Sequence, residues 1–162
     1  MKKIAIFSVL ILLSSCHASG NGINSDTIFM IDCDGADGST TFTDRSPTTP
    51  FTITVNGNAQ TDTAVNISPA FGGSTCLFDG TGDGFQMADN ADWNFSDGVW
   101  AFDGWIYLTS TAAQETIFAR TLDSNNHLAF RVDAGGSPDL VFVDAGVVTI
   151  NMTASPDTIL AN

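Results

Sequence analysis

After the first two dozen residues, apolar positions recur with period two and never settle into helical spacing. Over residues 27–33, Phe29, Ile31 and Cys33 share one face, and over 51–55 Phe51, Ile53 and Val55 do the same. Residues 75–78 set Cys76 and Phe78 together, and 85–87 follow a glycine-rich turn. The longest run, 99–109, carries Trp100, Phe102, Ile106 and Leu108 on one side and Trp105 on the other. Residues 116–120, 128–132, 140–144 and 147–152 complete the series. Between the runs stand Asp34-Gly35, Asp37-Gly38, Asn56-Gly57, Asp97-Gly98, Ser124-Asn125-Asn126, Gly135-Gly136-Ser137-Pro138 and Ala145-Gly146, all of them turn chemistry. About nine short strands joined by turns predict an antiparallel all-β sandwich or barrel. No internal repeat and no interdomain linker interrupts them.

The N-terminus obeys a different rule. Lys2 and Lys3 precede an apolar run, Ile4 to Leu13, and then the chain turns polar. Such a run is too short to span a bilayer as a helix but fits the core of an export signal. Leu13-Ser14-Ser15-Cys16 resembles the bacterial lipobox, which implies cleavage before Cys16 and acylation of its thiol. The other reading is ordinary cleavage after Ala18. The expected organisation is a signal over 1–15, a polar tether over 16–26 and one domain over 27–162. The expected location is the bacterial cell envelope, as an outer-membrane or surface lipoprotein, or else secreted or periplasmic.

Charge narrows the partners. The chain has 18 acidic residues against five Lys and Arg. Both lysines lie in the leader, which leaves Arg45, Arg120 and Arg131 as the cations of the domain. A surface this acidic repels nucleic acid and anionic headgroups, so neither is an expected partner and the membrane is met only through the lipid. All the acids except Glu115 are Asp, a turn former, which agrees with many short strands. With Cys16 discarded or acylated, Cys33 and Cys76 remain, and an even pair in an exported domain points to a disulfide. Both fall on faces that read as buried; two buried free thiols are the alternative.

Leu77-Phe78-Asp79-Gly80-Thr81-Gly82-Asp83-Gly84-Phe85, then Asp89-Asn90-Ala91-Asp92-Trp93-Asn94-Phe95, then Trp100-Ala101-Phe102-Asp103-Gly104-Trp105-Ile106-Tyr107-Leu108 follow one another in the order of a known family. The series resembles the laminin-G-like domains of the concanavalin A superfamily of lectins and glucanases. Phe42-Thr43-Asp44-Arg45-Ser46 and Phe51-Thr52-Ile53-Thr54-Val55 are similar to the first hairpin of such domains. The resemblance covers about residues 27–162 and implies an antiparallel jelly-roll β-sandwich. After Ser155-Pro156-Asp157-Thr158-Ile159-Leu160-Ala161-Asn162 the family continues with a Trp-x-His strand and an Asp-Gly hairpin, so closing strands are expected to be missing, by truncation or in a reduced variant.

The chemistry of the chain favours binding over catalysis. Glucanases of this superfold use paired carboxylates, often Glu-x-Asp-x-x-Glu, whereas here Glu115 stands alone. His17 and His127 supply no triad, and no Ser sits in a nucleophile elbow. A fragment of a glycan hydrolase is the rival of a different class, and a structural surface protein without a small ligand is the third. Calcium is a candidate ligand, because Asp79, Asp83 and Asp89 supply oxygens on neighbouring loops, although the same Asp-Gly pairs also read as plain turns. Trp93 and Phe95, in a loop, are candidates to stack on a sugar, or else to plug the end of the sandwich. Trp100 and Trp105 have opposite parity, which makes one of them a candidate for exposure. The expected function is a surface module that binds a glycan or a protein, with or without calcium.

Overall fold

The computed structural model describes residues 25–65, 74–93 and 100–154, together with the backbone of residues 4–13. Over these residues the chain is all-β with antiparallel sheets, and a 3-10 turn at Ala91–Trp93 is its helical element. It divides into two compact units, Met1–Tyr107 and Leu108–Asn162.

The first unit is built on a five-stranded sheet. Its strands are β1 (Ile4–Leu13), β2 (Thr27–Ile31), β4 (Gln60–Asp62), β5 (Thr75–Phe78) and β7 (Trp100–Leu108), whose last residue opens the second unit. The order is β2-β1-β5-β4, with β7 also paired to β1. β1 is the apolar run that the sequence assigns to export. In the full-length chain its backbone is extended, meeting β5 at Ile4↔Phe78 through Ile6↔Cys76 and β2 at Val9↔Ile31 through Leu12↔Thr27.

The alternation in β2 does what its period demands: Thr27, Phe29 and Ile31 are buried and the residues between them less so. All four residues of β5 are buried, as befits a short continuous run inside a sheet. β4 is polar, and only Thr61 is buried, opposite Cys76. A small second sheet pairs β3 (Thr54–Asn56) with β6 (Gly84–Gln86). The run expected at 51–55 therefore forms a ladder only from Thr54 onward.

What fixes the segment before β3 is a buried carboxylate. Asp44 Oδ1 accepts from the backbone N–H groups of Met30 (2.9 Å) and Ser46 (2.8 Å). Its Oδ2 accepts from the Phe51 N–H (2.8 Å) and the Ser46 hydroxyl (3.0 Å). Arg45 N–H returns a bond to the Met30 carbonyl at 2.8 Å. One side chain thus ties β2 to a loop that has no ladder of its own, and every one of those donors is satisfied.

Cys33 and Cys76 are joined in a disulfide, with Cα atoms 5.1 Å apart. Both are buried. Cys33 takes φ 54°, in the left-handed region, as the chain turns out of β2. The Ser74 hydroxyl donates to the Cys33 carbonyl at 3.0 Å, a second link at the same place.

The second unit is a four-stranded meander, β8 (Glu115–Asp123), β9 (Asn126–Val132), β10 (Pro138–Asp144) and β11 (Val147–Thr153), in the order β11-β10-β9-β8. The turn between β10 and β11 has two residues, Ala145 (φ 48°) and Gly146 (φ 79°), the doubly left-handed geometry that suits the strand twist. Leu108, Leu128, Ala129, Val132, Val141 and Val143 are its buried apolar residues among those described. Across β9 and β10 Arg131 pairs with Asp139, and the Thr153 hydroxyl donates to the other oxygen of Asp139 at 3.1 Å.

Candidate functional site

The residues singled out in the sequence separate once they are folded. Trp93 is only 5% exposed. The 3-10 turn carries its ring onto Phe29 and Phe51, with centroids 6.1 and 4.7 Å away. Of the two readings of Trp93, a face for a sugar or a plug, the packing matches the plug: its indole is buried in the first unit against Phe29 and Phe51. A second aromatic group, Phe42, Phe78 and Phe85, lines up through centroid distances of 4.5 and 5.0 Å. Phe95 and Cys16 lie outside the described residues.

The exposed tryptophan is Trp105. It stands in β7, five residues after Trp100 and so on the opposite face, and it is 54% exposed while Trp100 is half-buried. Gly104 before it is exposed. Tyr107 shares its face, about 7 Å along the strand at two residues' rise, and is itself half-exposed. A strand holds such a pair at a fixed spacing, since residues two apart along it point to the same face. An indole and a phenol side by side make an amphipathic surface, apolar on the ring faces and hydrogen-bonding at the rim. Sequence parity narrowed the choice to Trp100 or Trp105, but only the packing assigns the open one.

The acidic loops are occupied by the backbone. Asp83 Oδ1 accepts from the Asn58 N–H and its Oδ2 from the Asp79 N–H, both at 2.7 Å. Asp79 Oδ1 accepts from the Thr81 N–H at 2.8 Å. Asp83 thereby holds the turn after β3 against the turn before β6. Gly57 allows this closeness: it takes φ 69°, and a Cβ there would lie 2.1 Å from Asp83 Oδ1. Asp89 is exposed in the loop before the 3-10 turn. Among the described residues no group of three or more His, Cys, Asp or Glu side chains is poised to hold a metal ion.

Glu115 opens β8 opposite Val132, and His127 in β9 lies between Thr121 and Val143. No family model, curated protein or solved structure matches this chain, so its function has to be argued from the exposed face of β7 itself.

Proposed function

We propose that the chain is an exported, lipid-anchored binding module, a laminin-G-like sandwich of the concanavalin A jelly-roll type, that recognises a carbohydrate through the outer face of β7. One observation carries the reading: the chain buries Trp93 among aromatic rings yet leaves Trp105 open on a strand, with Tyr107 beside it. Pyranose rings present apolar C–H faces that stack on indole, and hydroxyl rims that meet the polar edge of Tyr or Trp. A neutral sugar also meets no repulsion from so acidic a protein, whereas an anionic ligand does.

The test is a glycan array probed with the full-length protein, run in calcium and again in EDTA. Trp105→Ala should weaken glycan binding at least about tenfold, as expected of an aromatic anchor, and leave the melting temperature unchanged. Loss of binding in EDTA alone would add calcium to the recognition. Binding that survives Trp105→Ala unaltered, or release of reducing ends from the bound glycan, would overturn the proposal in favour of another surface or of hydrolysis. The anchor has its own assay. In Triton X-114 partition the wild type should enter the detergent phase, and Cys16→Ser should move it to water.

A further inference from the structure

We propose, resting on the export and cleavage described above, that the place of β1 in the first unit's sheet receives a strand of another polypeptide. Once the leader is cut away, an extended, uncharged apolar segment adds there, antiparallel to β2 and β5. β1 is itself such a segment, IAIFSVLILL, with no charge and no proline. It is bonded to β2, β5 and β7. β2 and β5 are both antiparallel to it and share out its length: Val9 to Leu12 lies across from β2, and Ile4 to Ile6 across from β5. The Cys33–Cys76 disulfide marks where the two stretches adjoin, since Cys76 stands opposite Ile6 and Cys33 comes two residues after the partner of Val9. A covalent bond therefore ties the two receiving strands together whether or not β1 is present.

The chemistry of the occupant follows from what β1 meets. Phe29, Ile31, Cys76, Leu77 and Phe78 are each no more than 9% exposed. The partners of β1 run from Thr27 to Ile31 and from Cys76 to Phe78, and none of them is charged. A charge placed among them would lose its water and gain no counter-charge, so the segment has to be uncharged. Cleavage before Cys16 removes β1 together with its ladders. Main-chain N–H and C=O groups beside apolar side chains cost free energy until they are paired again. An added strand pairs a whole row of them at once, which a glycan or a folded surface does not do. Cleavage also makes β1 a separate peptide, so its place is one that a segment unconnected to β2 fits.

The experiment starts from the full-length chain with Cys16→Ser and a specific protease site inserted between Ser19 and Gly20. After cutting, the leader should stay with the domain through gel filtration and then exchange for a labelled synthetic peptide of residues 2–13, whose two lysines keep it soluble. The same peptide with Val9→Lys, which sets a charge opposite Ile31, should compete at least about tenfold less well. Register has its own check. With Met30→Cys in the chain, a peptide carrying Leu10→Cys should form a mixed disulfide, and one carrying Ile11→Cys should not, because position 10 is the partner of Met30. The competition decides the matter if Met30→Cys fails to fold. A cut leader that departs with no peptide taking its place, equal competition by Val9→Lys, or cross-linking no faster at position 10 than at 11 would overturn the proposal. The cleavage beneath it is read separately: a chain that still begins at Met1 in the envelope fraction, by mass spectrometry, would overturn both, whatever the peptide does.

Discussion

Asp44 has a neighbourhood that no carboxylate acquires by accident. Its four accepted hydrogen bonds come from three backbone N–H groups and a hydroxyl, spread from residue 30 to residue 51. Truncation strands those donors, so Asp44→Ala should destabilise the domain by about 3 kcal/mol, read as a lower urea midpoint with an unchanged slope. Asp44→Asn keeps one acceptor and should cost less. A midpoint unmoved by Asp44→Ala would mean that water satisfies the same donors. Asp44 stands in the segment Phe42 to Ser46 that carries part of the resemblance, but its role as a four-fold acceptor is not legible there, because it depends on donors brought in from β2 and from a loop. Trp93 leaves two readings open in the sequence for a related cause. A Trp between Asp92 and Asn94 has the look of a loop residue, and only the approach of Phe29 and Phe51 makes it core.

Strands were legible where their own side chains explain them. β5 agrees with its expected bounds because a run of Thr75, Cys76, Leu77 and Phe78 has little choice but burial. β4 gave no signal: Gln60, Thr61 and Asp62 contain no apolar residue, and the strand exists because β5 offers it a ladder. The hairpin between β8 and β9 shows the opposite economy, since its turn supports itself. Asp123 accepts from the Asn125 N–H at 2.7 Å and from the Asn126 side-chain amide. The Asn125 backbone bond first, and the Asn126 amide second, hold its carboxyl below the ordinary value. A carboxyl depressed in the folded state lends stability above its unfolded pKa and loses it as the pH falls through the folded one. Amide exchange at Asn125 should therefore stay slow through the usual aspartate range and quicken only at lower pH. Asp123→Asn should erase that dependence; if the profile stays the same, the turn owes nothing to the charge.

At the scale of the whole molecule, the covalent link between positions 33 and 76 constrains the unfolded chain more than any single contact constrains the folded one. Closing a loop with a separation of 43 residues is worth about 4 kcal/mol on the chain-entropy model. Reduction with dithiothreitol should lower the urea midpoint accordingly, and an unchanged midpoint would show that the native chain does not depend on the bridge. If the chain is exported as proposed, the same bond divides its life into two periods. A cytosol kept reducing by glutathione leaves both thiols open, whereas the space beyond the inner membrane oxidises them. For the exported chain proposed here, the precursor is loose while it has to be threaded through a translocation pore, and it is clamped once it has arrived. A compartment boundary, rather than a change of sequence or ligand, then acts as the ratchet that makes folding one-way.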